Sequence, residues 1–512
     1  MSPDDVRHDY VRKILDARVY DVAVQTPLDP MSRLSQRLGR RVLQKREDLQ
    51  PVFSFKIRGA YNRIARLSDR ERAAGVICAS AGNHAQGVAL SAQRLGISAT
   101  IVMPVTTPPI KIDAVRYFGG KVVLHGDTFE EAYERSRALE EAEGLTFVHP
   151  YDDPEVIAGQ GTIGMEILHQ HPGPIEAVFV PIGGGGLAAG VASYVKFLRP
   201  ETKVIGVEPA DAASMKAAIA AGRRVMLDRV GLFADGTAVK QVGAETFRVC
   251  RELLDDVLVA DTDEMCAAIK DIFEDARVIA EPSGALALAG LKNWVAGRPM
   301  RADGAALVAI NSGANMNFDR LRHVAERAEI GEAREILLGV TIPEVPGSYR
   351  NFVDVLGART ITEFNYRYAE AKEANVFVGL KLADATRDKP AVIAELKARG
   401  YEVIDISADE TAKLHVRYMV GGRAPALRDE VLFRCEFPER PGGLARFLDA
   451  MGADWSITLF HYRNHGADYG RVLVGMQVPS ADRPRFFERL RALGYPFEDE
   501  TDNPAYRMFL GC

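Results

Sequence analysis

The sequence of 512 residues predicts an α/β region with a mainly parallel sheet, followed by two small α+β domains. Three observations support this organisation. Between residues 75 and 210, short runs rich in Val and Ile alternate with helical patterns, which is typical of βαβ units. The last third of the chain repeats itself once, and a charged helical segment, 320–334, precedes the repeat. At about 100–200 residues per domain, the length fits three domains.

The composition of the chain argues against several classes of protein. The chain is 47% hydrophobic and 26% charged with a net charge of −6, which is ordinary for globular protein and argues against a dedicated nucleic-acid binder. No apolar run reaches the roughly 18–20 residues that cross a bilayer, and residues 1–11 lack a signal-peptide core. The five cysteines are odd in number and form no CxxC pair. We therefore expect a cytoplasmic protein with reduced thiols and without a metal site.

The parallel sheet is predicted from strands and helices that alternate along the chain. Strands are expected at 75–80, 98–104, 121–126, 177–182, 203–207 and 305–310. Helices are expected at 57–67, 83–96, 111–118, 128–143 and 187–198. Because parallel strands are joined by crossovers, these helices should cover the faces of the sheet.

The duplication is visible in two motifs. Pro343-Glu-Val-Pro-Gly347 recurs as Pro438-Glu-Arg-Pro-Gly442, and Phe364-Asn-Tyr-Arg367 recurs as Phe460-His-Tyr-Arg463, at an offset near 95 residues. Each copy is predicted to have the order β-α-β-β-α-β, which is ferredoxin-like. The predicted domains are 1–325, 335–425 and 430–512.

The first chemical motif is Ser54-Phe55-Lys56, at the expected start of a helix. A positive helix end and apolar neighbours both disfavour an ammonium, so the pKa of Lys56 should fall. A neutral lysine amine is what Schiff-base chemistry needs. The alternative is a surface lysine whose stem covers Phe55, and local features alone favour that alternative.

The second motif, Ser80-Ala-Gly-Asn83-His84, joins a strand to a helix. Its small residues would let backbone N–H groups approach an anion. Ser80 or Asn83 could instead cap the helix, and the sequence leaves both readings open. His84 is expected to be structural.

The third motif is a glycine run, Gly183–Leu187, between a strand and a helix. A plain turn needs one or two glycines, so four indicate a phosphate cradle. The run also satisfies a dinucleotide pattern through Gly184, Gly186 and Ala189, with Glu208 about twenty residues on. No Lys-Ser/Thr follows, which excludes a Walker A loop.

The fourth motif, Asn311-Ser312-Gly-Ala-Asn315, follows a strand, where ligands of open α/β sheets bind. Alone, Ser312 is best read as a loop serine. Glu281-Pro-Ser283-Gly is equally weak alone.

Together, the four motifs resemble the threonine dehydratase family of fold type II, tryptophan-synthase-β-like pyridoxal-phosphate enzymes. The duplicated tail resembles the tandem ACT-like regulatory region of the biosynthetic form. The resemblance covers essentially the whole chain. Two alternatives are an NAD-linked oxidoreductase, which leaves Lys56, Asn83 and Ser312 unexplained, and an amino-acid sensor, which explains only the last third.

The resemblance implies a residue set. Cofactor contacts fall on Lys56, Phe55, Asn83, Gly183, Gly184, Gly185, Gly186, Leu187 and Ser312. Lys56 would hold the cofactor covalently and remove the Cα proton, Asn83 would bond the phenolic oxygen and Ser312 would face the pyridine nitrogen. The glycine run would cradle the phosphate, and the Ser80–Gly82 backbone would receive the substrate carboxylate. Catalytic roles are thus expected for Lys56, Ser80 and Ser312.

The resemblance also implies an activity and its regulation. L-threonine, and also L-serine, would undergo β-elimination, and threonine would give 2-oxobutanoate and ammonia as the first step of isoleucine biosynthesis. Isoleucine would inhibit the enzyme, and valine would oppose that inhibition. The candidate effector contacts are Tyr366, Arg367, Tyr462 and Arg463, with core packing as the alternative for the aromatic residues. A homotetramer is expected.

Overall fold

A computed structural model gives the fold of the chain. It describes residues 3–231, 233–299, 304–318, 320–357, 359–368, 372–414, 416–419, 424, 427–438, 443–451, 454–463, 469–504 and 510. The chain divides into two compact units, residues 1–331 and 332–512. The predicted domain bounds at 325, 335, 425 and 430 stay a prediction.

The first unit alternates strands with helices, as the sequence predicts. Its strands are β1 (Leu28–Pro30), β2 (Val42–Arg46), β3 (Val76–Ala79), β4 (Ala99–Met103), β5 (Lys121–Leu124), β6 (Thr146–Phe147), β7 (Ile175–Pro181), β8 (Lys203–Pro209), β9 (Asp256–Ala260) and β10 (Ala306–Asn311). Its helices are α1 (Pro3–Leu15), α2 (Ser32–Leu38), α3 (Lys56–Ala65), α4 (Asp69–Ala74), α5 (Asn83–Leu95), α6 (Pro109–Tyr117), α7 (Phe129–Glu143), α8 (Pro154–Gln170), α9 (Gly186–Leu198), α10 (Ser214–Ala221), α11 (Ala244–Leu253), α12 (Thr262–Ala276), α13 (Pro282–Val295) and α14 (Arg320–Gly331).

Two sheets organise the first unit into two lobes. The larger has the order β1-β2-β10-β7-β8-β9 and is parallel except for the β1–β2 pair. The smaller has the order β5-β4-β3-β6 and is parallel throughout. The central strands β7 and β10 are buried along nearly their whole length, which explains their continuous apolar sequences. The predicted α/β class and all six predicted strands of this region are confirmed.

Helix ends in the first unit follow local sequence signals. Capping boxes begin α4 at Ser68, α7 at Thr128 and α12 at Asp261. Glycines in the left-handed conformation end α5 at Gly96 and α7 at Gly144. These signals hold the crossover helices against the sheets, so the loops between strands and helices have fixed positions.

The second unit contains both copies of the repeat. Its strands are β11 (Glu335–Pro343), β12 (Thr360–Arg367), β13 (Glu373–Lys381), β14 (Glu402–Asp405), β15 (Glu430–Pro438), β16 (Ser456–Arg463), β17 (Tyr469–Gln477) and β18 (Phe497–Asp499). Its helices are α15 (Ser348–Leu356), α16 (Ala385–Ala398), α17 (Glu410–Leu414), α18 (Gly443–Met451) and α19 (Arg483–Ala492). The strands form one antiparallel sheet of order β14-β11-β13-β12-β16-β17-β15-β18. Each copy has the predicted ferredoxin-like order, and β12 pairs with β16 to join the copies.

Matching polar contacts repeat in the two copies. The Thr362 hydroxyl donates to Glu335, and the Thr458 hydroxyl donates to Glu430. A Cβ added at Gly379 would lie 2.4 Å from Thr362 Oγ1, and one added at Gly475 would lie 2.8 Å from Glu430 Oε1. The glycine, threonine and glutamate therefore form one recurring set of contacts, which supports a duplication.

Candidate active site

Lys56 is the first residue of α3, and its side chain is only partly exposed. Its Nζ donates to the Pro150 carbonyl at 2.8 Å and lies 5.3 Å from the centroid of the Phe55 ring. Burial lowers the pKa of Lys56 to about 8, and the nearby Glu281 carboxylate limits that fall. A lysine with these neighbours supplies a neutral amine close to neutral pH, as nucleophilic amine chemistry requires.

Asn83 is the first residue of α5 and does not cap it. Gly82 occupies the capping position, and no side chain accepts a cap hydrogen bond there. The Asn83 amide instead donates to Glu281 Oε1 at 2.6 Å and accepts from Asn315 Nδ2 at 2.7 Å. The structure thus removes the capping alternative for Asn83, and its contact with a cofactor stays a prediction.

The predicted backbone donors at Ser80–Gly82 are partly engaged. The Ser80 N–H donates to Val102, and the Gly82 N–H donates to the Ser80 hydroxyl at 3.3 Å. The Ala81 N–H and the first N–H groups of α5 donate to no protein acceptor among the described residues. An anion here would therefore bind to Ala81 and the helix start, and Ser80 would act through Gly82.

The glycine run lies between β7 and α9. Within the described residues, the N–H groups of Gly183 to Leu187 donate to no protein acceptor, while the preceding Ile182 N–H donates to Val207. Gly185 has φ of 97°, which favours glycine. Five such N–H groups at a helix start can together bind an anion, so we refer to them as the candidate anion site.

Tyr151 explains why the run needs glycine at two positions. A Cβ added at Gly184 would lie 2.1 Å from the Tyr151 ring, and one added at Gly186 would lie 2.9 Å from the Tyr151 carbonyl. Tyr151 follows Pro150, the partner of Lys56. The close packing therefore connects the anion site to the lysine.

Ser312 follows β10 and completes the site. Its hydroxyl donates to the Ser283 carbonyl at 3.1 Å, and its carbonyl accepts from the Phe55 N–H at 3.2 Å. Thr237 Oγ1 lies 3.2 Å from Ser283 Oγ, and a Cβ added at Gly183 would lie 3.0 Å from Thr237 Cα. All four sequence motifs therefore meet at one place between the two lobes.

Glu208 is occupied by another task. Its two carboxylate oxygens accept from the backbone N–H groups of Met215 at 2.7 Å and Lys216 at 2.8 Å, at the start of α10. Burial raises the pKa of Glu208 to about 7. Because this carboxylate caps a helix, it is not available to bind a ribose. The dinucleotide alternative therefore loses the acidic residue that it requires.

The residues that were expected to be structural behave as such. Nε2 of His84 lies 2.8 Å from the Val148 carbonyl, and burial lowers the pKa of His84 to about 3. Cys78, Cys250, Cys266 and Cys435 are buried, and none of these four described cysteines forms a disulfide. Cys512 lies outside the described residues.

The candidate effector residues lie on the paired strands β12 and β16. Tyr366 is buried and donates its hydroxyl to Glu344. Arg367 forms an ion pair with Glu430 and donates to the Leu510 carbonyl at 2.6 Å. Tyr462 is buried, and the side chain of Arg463 lies outside the described part of the chain.

Comparison with known proteins agrees with this geometry. Residues 19–313 match the family model described as pyridoxal-phosphate dependent enzyme. Residues 326–416 and 421–510 each match the C-terminal regulatory domain of threonine dehydratase. The biosynthetic L-threonine dehydratase IlvA of Burkholderia multivorans is 58% identical over 98% of this chain and 99% of its own length. The chain belongs to the biosynthetic threonine dehydratase family.

Other members of the threonine dehydratase family give the same result. The biosynthetic enzyme of Escherichia coli is 55% identical over 98% of this chain and 97% of its own. The solved structure of the processed form of threonine deaminase isoform 2 from Solanum lycopersicum is 52% identical with a TM-score of 0.62. It covers 64% of this chain and 89% of that one. The predicted fold class, pyridoxal-phosphate cofactor and enzyme class, a carbon–nitrogen lyase, are confirmed.

Three features of the site were not found from the sequence. Glu281 contacts Asn83 across 198 positions of the chain, and Pro150 contributes only its backbone. The Ser54 hydroxyl is fully buried and has no hydrogen-bond partner among the described residues. The Glu281-Pro-Ser283 motif was the one sequence signal that pointed to these features.

In the described part of the chain, no helix combines the length and apolarity of a membrane span.

Proposed function

We propose that this chain converts L-threonine into 2-oxobutanoate and ammonia, and accepts L-serine as a second substrate. The single observation that carries the proposal is the convergence of Lys56 with five N–H groups, Gly183 to Leu187, that have no acceptor in the described part of the chain. The site fits pyridoxal phosphate on its own geometry, since a phosphate needs such a cradle and an aldehyde needs a neutral lysine.

Each residue has a defined task in this proposal. Bound pyridoxal phosphate withdraws electrons from the substrate Cα, which makes its proton removable. Lys56 Nζ, with a pKa near 8, takes that proton in its neutral form. The glycine-run N–H groups would hold the phosphate, and Asn83 would offer an N–H to the phenolic oxygen. Ser312 would be the partner of the pyridine nitrogen, and a hydroxyl without a formal charge suits elimination better than transamination.

The test combines turnover with labelling. Lys56→Ala should abolish the formation of 2-oxobutanoate, while Lys121→Ala, an exposed lysine of the same unit, should keep full turnover. Borohydride reduction of the loaded wild-type protein should place the label on the peptide that contains Lys56. Turnover that survives in Lys56→Ala, or a label on another lysine, would contradict the proposal.

We also propose that isoleucine inhibits the enzyme through the second unit and that valine opposes it. A cleft between the two copies is lined by Glu344 and Arg350 of the first copy and by an apolar wall of the second. The wall consists of Leu448, Met451, Trp455, Ile457 and Met476. A carboxylate beside an apolar wall suits the ammonium and the branched side chain of an aliphatic amino acid.

The candidate effector residues have different relations to this cleft. Tyr366 contacts it through the Glu344 hydrogen bond, and burial raises the pKa of that glutamate. Arg367 binds Glu430 between the copies, so we propose that it joins them. Tyr462 and Arg463 stay predictions, as do the homotetramer and the cytoplasmic location.

Inhibition curves test the cleft. Glu344→Gln should raise the isoleucine concentration for half-inhibition about tenfold, because one charge-assisted hydrogen bond is lost. Tyr366→Phe should have a smaller effect, and Glu373→Gln, on the exposed part of β13, should have none. Unchanged inhibition in Glu344→Gln would remove the cleft as the effector site.

A further inference from the structure

Three side chains, Asn315, Asn83 and Glu281, form a chain of hydrogen bonds with the Asn83 amide in the middle. Asn315 Nδ2 donates to the Val52 carbonyl at 2.8 Å and also to Asn83 Oδ1 at 2.7 Å. Asn83 Nδ2 then donates to Glu281 Oε1 at 2.6 Å. Each of these bonds joins elements that are far apart in the sequence.

The Val52 carbonyl fixes the donor-to-acceptor direction of every hydrogen bond in the chain. A backbone carbonyl can only accept, so Val52 requires the nitrogen, and not the oxygen, of the Asn315 amide. Asn315 therefore offers its second N–H to Asn83, which must respond with its own oxygen. The Asn83 nitrogen is consequently turned toward Glu281.

The arrangement leaves one donor unused. An amide nitrogen carries two hydrogens, and Glu281 accepts one of them. Among the described residues, no second acceptor binds Asn83 Nδ2. The remaining N–H is held in a fixed direction because both the oxygen and the first hydrogen are already committed.

The packing around Glu281 supports a built arrangement. Glu281 is 3% exposed, and its backbone N–H donates to the Gly313 carbonyl at 3.1 Å. A Cβ added at Gly313 would lie 2.7 Å from Glu281 Oε1, so glycine is required for this approach. Burial raises the pKa of this carboxylate to about 7 overall, although the Asn315 backbone N–H lowers that pKa.

We propose that Asn315 and Glu281 are positioning residues that fix the amide of Asn83, so that its free N–H points at the phenolic oxygen of pyridoxal phosphate. The inference rests on the proposed role of Asn83. It assigns a function to two side chains that need not touch the cofactor themselves. Free rotation of the Asn83 amide would present its oxygen to the phenolic oxygen half of the time, and two acceptors repel.

Cofactor affinity of the apoprotein tests the inference without turnover. Asn315→Ala should weaken pyridoxal-phosphate binding about tenfold, the value of one hydrogen bond in a buried site, and shift the visible absorption of the bound cofactor. Asn315→Asp, which replaces the donor by an acceptor, should weaken it more. Asn293→Ala removes an exposed asparagine that donates to Glu264 at 2.9 Å and should change neither quantity.

A double-mutant cycle separates positioning from general damage. In an Asn83→Ala background, Asn315→Ala should cause no further loss of cofactor affinity, because the residue through which it acts is gone. An equal loss in both backgrounds, or wild-type affinity in both Asn315 variants, would overturn the inference. If Asn83→Ala alone left the affinity unchanged, the proposed role of Asn83 would fail instead. Thermal midpoints of the apoproteins show whether each variant folds. If Asn315→Asp does not fold, the cofactor affinity of Asn315→Ala alone tests the inference.

Discussion

Two cations lie two residues apart at the start of α3 and have opposite properties. Arg58 is fully buried and binds Glu47 through Nε at 2.8 Å and Glu166 through Nη1 at 2.6 Å. These carboxylates raise the pKa of Arg58. Lys56 has a carbonyl partner and a more distant glutamate, and burial lowers its pKa to about 8. One turn of helix thus stabilises the fold on one side and provides a reactive amine on the other.

The difference shows that the neighbours of a cation decide its state more than its burial does. Arg58 belongs to a buried ion cluster, Lys45, Glu47, Arg58 and Glu166, in which two cations meet two carboxylates. Lys45 also donates to the Thr26 carbonyl at 2.6 Å and to Gln170 at 3.0 Å. Three substitutions would break or sharpen this comparison.

The largest effect is expected from Arg58→Met. It leaves Glu47 and Glu166 buried with only Lys45 to balance them, which should lower the free energy of unfolding of the first unit by about 3–5 kcal/mol. The chain has two tryptophans, so a Trp455→Phe background leaves Trp294 as the reporter of that unit in a urea titration. Arg63→Met, which breaks a part-exposed pair with Asp153 on the same helix, should cost under about 1 kcal/mol. Equal effects of the two variants would refute the comparison.

The second effect has the opposite sign. Lys56→Met should stabilise the apoprotein by about 1–2 kcal/mol at neutral pH, a value reduced for the partial exposure of the side chain. The pKa of Lys56 falls from 10.5 to about 8 on folding, so the unfolded chain binds more protons between those values. Wild-type stability should therefore rise from pH 8 toward 10.5 and approach that of the variant. A gap that stays constant across this range would show that the ammonium is not destabilising.

The smallest effect concerns the carboxylate near Lys56. Glu281 raises the pKa of Lys56, so Glu281→Gln should lower it further and move the pH midpoint of cofactor capture by the apoprotein to lower values. Capture at pH 7 should then be a few-fold faster, because more of the amine is neutral. Stopped-flow absorbance measures the rate. Glu274→Gln, on the surface of the same unit, should leave the midpoint in place, and a shift to higher pH in Glu281→Gln would contradict the assignment.

Local patterns predicted the fold class, six strands of the first unit and the elements that carry the candidate cofactor motifs. The strand–glycine–helix order at Gly183–Leu187 and the position of Lys56 at the start of a helix depend on neighbours in the sequence. The duplication was visible because its offset is constant. Strands β1, β2, β6 and β9 were missed. β1 and β6 have only three and two residues, and β2 carries charged residues inside a buried strand.

The rest depended on contacts between distant parts of the chain. Lys45 and Glu47 stand in a run of four charged residues, 45–48, which is typical of a surface, yet both are fully buried against α3 and α8. Asn83 looked like a helix cap until the fold placed Glu281 and Asn315 beside it. The segment 320–334 is charged in sequence, yet its helix α14 packs Val324 and Ala328 into the core of the first unit. The periodic pattern of a single sequence does not predict these contacts between distant residues.

The pairing of β12 with β16 has a consequence for shortened forms of this protein. Residues Glu363 to Arg367 of β12 pair with Leu459 to Arg463, so a chain cut after the first copy would lose that partner strand. Its β12 would then present unpaired N–H and C=O groups beside buried side chains such as Phe364 and Tyr366. Exposed edges of this kind recruit strands from other chains. Such a fragment should self-associate or aggregate with rising concentration, so the second copy also protects the first from insolubility.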